Sequence, residues 1–149
     1  MAYRCRFFVI KELVNPKLLE QIGEENAWKI FDDRLLKCAD EIRKKYGACT
    51  VNASGLVDCG LRDPQSTTGA KYSMHKIGRA LDIHIRSIEL KYSGNKVEKA
   101  KAYNRVREEL MLDTRFDCLS FEYTSKEYPK GITWLHIDTG NRTNRLYNA

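Results

Sequence analysis

Residues 81–85 alternate between apolar and polar side chains in the order Leu-Asp-Ile-His-Ile. Successive side chains of a β-strand point to opposite faces, so the alternation predicts a half-buried strand that carries Asp82 and His84 on one face. The chain has 149 residues, which suits one domain built around one hydrophobic core. We therefore expect residues 1–149 to form a single domain that contains this strand.

Two further segments predict a β-hairpin near the end of the chain. Residues 116–123 and 132–138 flank a connector rich in turn residues, Lys-Glu-Tyr-Pro-Lys-Gly at 126–131. If the turn centres near Pro129, residues whose numbers sum to about 258 face each other in the ladder, which places Glu122 opposite His136. Residues 139–149 are polar and basic, and we expect them to form a loose tail.

Helical signals occupy much of the rest of the chain. Asn15-Pro16 has the form of an N-cap followed by proline and predicts a short helix to about Gly23. Residues 95–98, Asn-Lys-Val-Glu, have the form of a capping box and predict a helix to about Met111. A longer helix ending at Gly47 is predicted by five apolar residues at helical spacing: Leu35, Leu36, Ala39, Ile42 and Tyr46.

Residues 7–14 and 48–53 are predicted to be short extended segments or strands. The predicted fold class is therefore α+β, with a small antiparallel sheet flanked by helices.

Composition and charge exclude several classes of protein. Hydrophobic residues make up 42% of the chain, too many for a disordered protein, and no run approaches the roughly 18 apolar residues of a membrane helix. Charges interrupt the apolar run at residues 1–11, so we expect no signal peptide and synthesis in a cytoplasm. The net charge is +6, but Lys and Arg are interleaved with acids, which does not favour a nucleic-acid partner. The five cysteines include no C-x-x-C pair and are predicted to be reduced.

Two imidazoles and one carboxylate lie on or beside the predicted strands. Catalytic zinc sites use about three nitrogen or oxygen ligands from the protein and leave one position open, and His75, Asp82 and His136 can supply that set. Spacing alone leaves the alternative open, because isolated histidines in small domains are more often ordinary packed or surface residues.

The pattern Ser73-x-His75-x-x-Gly78-x-Ala80-x-Asp82, followed by Trp134-x-His136, resembles the signature of a zinc peptidase family. The family contains D-alanyl-D-alanine carboxypeptidases and L-alanyl-D-glutamate endopeptidases and shares its fold with the hedgehog signalling domain. Further similarity to its phage-type members lies at Phe8–Leu13, Arg34–Gly47, Val51-Asn52 and Gly60–Arg62.

The resemblance implies a hedgehog-like fold and one Zn²⁺ bound by His75, Asp82 and His136. It also implies a peptide substrate from the bacterial cell wall and a phage or prophage endolysin, made in the bacterial cytoplasm and acting on the wall after release. A virion-associated component is equally compatible. We expect a monomer without nucleic-acid partners or membrane insertion; the family alone does not choose between endopeptidase and carboxypeptidase.

The resemblance also suggests roles for other residues. The family often has its acidic general base three residues before the last histidine, where this chain has Thr133. The phage-type branch has a glutamate at the end of the preceding strand instead, which corresponds to Glu122; Glu127 and Asp138 are weaker candidates. Arg62 matches an arginine that holds the substrate carbonyl or carboxylate.

Three residues are expected to surround the site. Ser73 is expected to form a hydrogen bond near it, Asp138 to orient the ring of His136, and His84 to be an outer neighbour or a substituted ligand. The alternative to an enzyme is a non-catalytic zinc-binding module of the same fold, acting as a binding or virion structural component.

Overall fold

The computed structural model describes residues 1–123 and 132–148. In these two ranges, five strands form one sheet in the order β1-β2-β4-β3-β5. Neighbouring strands are antiparallel, except that β3 and β5 are parallel. The sheet is therefore mixed, whereas the sequence predicted an antiparallel sheet. The strands are β1 Cys49–Thr50, β2 Ala80–Ile85, β3 Ser120–Glu122, β4 Leu135–Asp138 and β5 Leu146–Tyr147.

The described residues also form five α-helices, so the predicted α+β class is confirmed. They are α1 Pro16–Ile22, α2 Glu24–Ile30, α3 Asp33–Tyr46, α4 Arg86–Lys91 and α5 Lys96–Leu112. Short 3-10 helices cover Ile10–Glu12, Met74–Ile77 and Thr114–Phe116. No helix in the described part of the chain is both long enough and apolar enough to cross a membrane.

The predicted helix starts are confirmed at two asparagines. The side chain of Asn15 accepts hydrogen bonds from the backbone N–H groups of Lys17 and Leu18 and so caps α1. The side chain of Asn95 caps α5 in the same way by accepting from the N–H of Glu98 at 3.2 Å.

Two segments predicted to be extended are largely not strands. Residues 7–14 contain a 3-10 helix at Ile10–Glu12, where the Glu12 carboxylate accepts a hydrogen bond from the Val9 N–H. Just before it, the distant carboxylate of Asp40 accepts hydrogen bonds from the N–H groups of Arg6 and Phe7, which are therefore not paired in a sheet. Of residues 48–53, only Cys49–Thr50 pairs as a strand.

The prediction of a loose tail was wrong for the described part of residues 139–149. Residues 146–147 form β5, and the N–H groups of Phe121 and Tyr123 donate to the carbonyls of Arg145 and Tyr147. This segment therefore covers one edge of the sheet and comes close to the candidate site.

The core lies between the helices and one face of the sheet. The alternation predicted for residues 81–85 is confirmed: Leu81, Ile83 and Ile85 are fully buried in it. Asp82 and His84 therefore lie on the other face of β2. The core is completed by residues of α3, α5, β3 and β4, including Leu35, Leu36, Ile42, Tyr103, Leu110, Phe121, Leu135 and Ile137.

Candidate metal centre

His75, Asp82 and His136 form one buried cluster. Each offers one potential ligand atom, and these atoms lie within 4.8 Å of one another. His75 Nε2 is 3.4 Å from Asp82 Oδ2, and His136 Nδ1 is 2.8 Å from Asp82 Oδ1. Ligands about 2.0–2.1 Å from a tetrahedral zinc ion would be about 3.3 Å apart. The three groups therefore need little rearrangement to bind one metal ion.

The sheet register brings two of these groups together. Asp82 on β2 pairs with His136 on β4, and His136 pairs with Glu122 on β3. Paired residues in a ladder project to the same side of the sheet, so these three residues form one row across three strands. The pairing of Glu122 with His136 is the register that the hairpin pattern predicted.

His75 reaches the row from the 3-10 helix just before β2. Ser73 caps that helix, with its Oγ accepting a hydrogen bond from the His75 N–H at 3.2 Å. Gly78 ends the helix in a left-handed conformation with φ of +70°. A Cβ atom at Gly78 would also lie 2.6 Å from the carbonyl oxygen of Ile30, so this turn has no room for a side chain.

Each histidine has one ring nitrogen engaged by a neighbouring acceptor. His75 Nδ1 lies 3.0 Å from the Gly60 carbonyl oxygen, which can only accept, so Nδ1 donates to it and Nε2 faces Asp82. His136 Nε2 lies 3.1 Å from Asp138 Oδ2, which leaves Nδ1 for a metal. Carbonyl and carboxylate partners of this kind orient metal-binding imidazoles and raise their basicity. Asp138 thus occupies the orienting position expected for it.

The site is electrostatically prepared for a cation. Burial raises the pKa of Asp82, but hydrogen bonds from His136 and His75 outweigh it and hold that pKa well below its usual range. Burial likewise opposes ionisation of Asp138, but bonds from His136, Tyr147 and the Gly140 N–H lower its pKa to about 2. Two carboxylates therefore remain ionised here at neutral pH.

His136 responds to these carboxylates. Burial alone would lower its pKa, but the hydrogen bonds to Asp138 and Asp82 raise it to about 9.

An open cleft of about 530 Å³ gives access to the cluster. It is lined by Ser73, His75, Asp82 and His136, by the predicted catalytic residues Arg62 and Glu122, and by neighbours that include Tyr72, Met74, Trp134, Arg142 and Tyr147. The structure therefore brings the predicted ligands, base and cation into one cleft. Glu127 lies outside the described residues.

Arg62 is fixed beside the metal ligands. It is 9% exposed, its backbone N–H donates to the His75 carbonyl, and its Nε donates to the Asp58 carbonyl at 2.6 Å. Its Nη2 lies 3.5 Å from Asp82 Oδ2. A Cβ atom at Gly69 would be 2.6 Å from Nη1, so the loop at this glycine packs directly on the guanidinium.

His84 lies outside the cluster of candidate ligands. His84 lies on β2 opposite Thr50, and its buried Nδ1 has no hydrogen-bond partner within the described residues. Burial lowers the pKa of its ring. It does not belong to the group of potential ligands formed by the described residues.

Sequence reasoning missed Arg142 and Tyr147. The Arg142 guanidinium stacks over the Tyr147 ring at 3.9 Å from the centroid, and its Nε lies 3.4 Å from Asp138 Oδ2. The Tyr147 hydroxyl donates to the same carboxylate oxygen at 2.6 Å. A strand of two residues has no periodicity from which this placement could be predicted.

Comparisons with protein-family models, with curated proteins and with solved structures gave no match to this chain. The arrangement of the site itself is therefore the observation on which its function is argued.

Proposed function

We propose that this chain is a zinc-dependent peptidase that hydrolyses peptide bonds in bacterial peptidoglycan. The observation that carries the proposal is the row formed by Asp82, His136 and Glu122, joined by His75, on the wall of an open cleft. Three buried side chains can bind a metal ion, and Glu122 adds a carboxylate to the same cleft. This arrangement is the one expected for metal-assisted hydrolysis.

Zinc is the metal that best suits the donor set. Two imidazoles and one carboxylate are typical zinc ligands, whereas calcium and magnesium prefer sites made of oxygen atoms alone. His75, Asp82 and His136 would hold the ion, and all three line the cleft. Bound there, zinc would supply an activated water and polarise the scissile carbonyl.

The side chains of the cleft divide the remaining work. Glu122 accepts a proton from the attacking water and returns it to the leaving amine. Arg62 donates hydrogen bonds to the substrate carbonyl as negative charge develops on its oxygen. Asp138 keeps the His136 ring in one orientation through its bond to Nε2. No covalent intermediate with the enzyme is required.

The substrate class rests on the resemblance of the motif to wall peptidases and on the charge of the cleft. The guanidinium groups of Arg62 and Arg142 both line it, and arginine is well suited to carboxylates. Cell-wall peptides carry such carboxylates. An endolysin of a phage or prophage, or a virion component acting on the wall, fits this substrate.

A non-catalytic zinc-binding module is the second candidate. It is favoured by one observation: Thr133 stands where the related peptidases often have an acid. Both candidates would bind zinc, so zinc content does not distinguish them. Only the peptidase would hydrolyse peptidoglycan, and it would need Glu122 to do so.

The test is digestion of purified peptidoglycan by zinc-loaded protein, with mass spectrometry of the released fragments. We expect new peptide termini with the wild type and none with Glu122→Ala at equal zinc content. The identity of the new termini assigns the enzyme as endopeptidase or carboxypeptidase. Zinc-loaded wild type that releases nothing would favour the binding module, and a preparation that takes up no zinc would refute both candidates.

A further inference from the structure

We propose that Cys38 and Cys118 form a reversible disulfide, so that this pair is a site of oxidative modification. Both cysteines are free thiols, and their Sγ atoms lie 3.6 Å apart although 80 positions separate them in sequence. This inference does not depend on the proposed peptidase function.

The two thiols come from elements that the fold holds together. Cys38 lies in the middle of α3 and is buried, while Cys118 lies in the turn that precedes β3 and is half-buried. A disulfide has sulfur atoms about 2.05 Å apart, so the two Sγ atoms must approach by about 1.5 Å for the bond to form. No other pair of thiols in the described residues is in such contact.

The two thiols differ in access to an oxidant. Cys118 opens into a small surface cleft lined by three arginines and one aspartate: Arg34, Arg142, Arg145 and Asp117. Cys38 is buried and does not line this cleft, and burial raises its pKa above the usual range. Cys118 is therefore the thiol that meets the oxidant, and the guanidinium groups around it can donate hydrogen bonds to a small molecule that carries carboxylates. A small disulfide that carries carboxylates, such as oxidised glutathione, fits this class.

The exchange proceeds in two balanced steps. The Cys118 thiolate attacks one sulfur of oxidised glutathione, forming a mixed disulfide and releasing one glutathione thiolate. Cys38 then attacks Cys118 Sγ while its proton passes to the departing glutathione sulfur, forming the protein disulfide and releasing the second glutathione as a thiol. Two protein thiols are oxidised and one molecule of oxidised glutathione is reduced to two thiols.

The cross-link would join α3 to the segment that leads into β3. The disulfide would close a loop of residues 38–118, and this loop contains His75 and Asp82. Cys118 lies four positions before Glu122. A long closed loop restricts the unfolded chain, so the oxidised protein should be the more stable form.

The test is treatment of the full-length protein with oxidised glutathione, followed by thiol counting, peptide mapping without reduction and thermal unfolding. We expect two of the five free thiols to be lost and one linked pair of peptides, Cys38 with Cys118. We expect Tm to rise by about 5–15 °C and to fall back with dithiothreitol.

Two variants separate the steps. Cys38→Ser should retain a stable glutathione adduct at Cys118, because the second thiol is missing, whereas the matched control Cys5→Ser should form the same cross-link as the wild type. Five free thiols after treatment, a stable adduct on the wild type, or a linkage to another cysteine would overturn the proposal. A cross-link that left Tm unchanged or lowered it would overturn the stabilising role. The peptide map of the wild type decides the linkage even if a variant does not fold.

Discussion

Glu122 on β3 and His136 on β4 face each other across an antiparallel ladder, and both line the same cleft. His136 pairs on its other side with Asp82 of β2. The central strand therefore presents one imidazole between two carboxylates, of which Asp82 lies within hydrogen-bond distance of the ring. The two carboxylates thus have different environments, and the proposed function assigns metal binding to Asp82 and proton transfer to Glu122.

Shortening the Glu122 side chain should reduce hydrolysis without affecting metal binding. Glu122→Asp keeps the carboxylate but withdraws it by about one methylene group, and a misplacement of roughly 1 Å can cost about a hundredfold in rate. We expect the rate of peptidoglycan hydrolysis to fall about that much while zinc content stays at the wild-type level. Glu122→Gln should abolish turnover, and loss of zinc from either variant would contradict the assignment of Glu122 as a base.

Replacing a predicted ligand should abolish stabilisation by zinc. At a free zinc concentration of about 100 times Kd, binding to the native state stabilises it by about 2.7 kcal/mol. We expect a zinc-dependent rise of Tm in the wild type and none in His75→Ala. His84→Ala is the matched control, because it removes an imidazole of β2 that is outside the cluster, and it should retain the wild-type response. If His84→Ala lost the zinc-dependent rise of Tm, His84 would have to be counted among the zinc ligands.

Neutralising Asp138 should weaken zinc binding without removing a ligand. Asn at this position keeps an acceptor for His136 but not the negative charge, and changes to such orienting partners lower metal affinity about 10–100-fold. Competition with a chelator of known affinity measures the change. Asp117→Asn makes the same charge change on an exposed side chain before β3 and should leave the affinity unaltered. Equal affinities for all three proteins would show that Asp138 does not support the site.

The row of Asp82, His136 and Glu122 was partly predictable because its determinants are local. Alternation defines the faces of β2, and the length of the hairpin connector sets which residues of β3 and β4 are opposite. The pairing of β2 with β4 depends on how distant elements fold together and leaves no signal in either segment.

The segments that were predicted wrongly depend on contacts with distant residues. The turn at residues 6–7 is held by Asp40, more than thirty positions away. β5 has two residues and is formed by its bonds to β3, which no local pattern indicates. Tyr147 and Arg142 reach Asp138 only because that strand forms.

Asp32 should make the protein sensitive to acid. The hydrogen bond that the Arg34 side chain donates to Asp32 lowers the pKa of Asp32 to about 2. Hydrogen bonds from Thr139 and from the Arg34 N–H act in the same direction, and burial opposes them. The unfolded value is about 3.9, so its stabilising contribution is complete above pH 4 and is lost as the pH falls toward 2. Asp32→Asn retains the N-cap, because Asn caps helices about as well as Asp, but it loses the charge that pairs with Arg34. It should be less stable by roughly 0.2–1 kcal/mol at neutral pH, as for a partly exposed ion pair, and the difference should shrink as the pH falls through about 2.

Denaturant unfolding between pH 2 and 7 measures this effect. The exposed Glu20→Gln provides a control with the same change of charge, and its difference from the wild type should not depend on pH. A difference for Asp32→Asn that stayed constant down to pH 2 would contradict the role of the ionised carboxylate.

Gly60→Ala should disturb both the fold and the metal site. A Cβ atom there would lie 1.9 Å from the backbone oxygen of Leu13, and no side-chain rotation can relieve that contact. The chain must shift, and the Gly60 carbonyl that accepts from His75 Nδ1 shifts with it. We expect a loss of about 1–3 kcal/mol in the free energy of unfolding, as for overpacked sites, together with weaker zinc binding.

Gly55→Ala separates the two effects: Gly55 has φ of +79° but open space around its Cβ position, so this variant should lose stability and keep its zinc affinity. Equal zinc affinities for the two variants would show that the carbonyl of Gly60 does not orient His75.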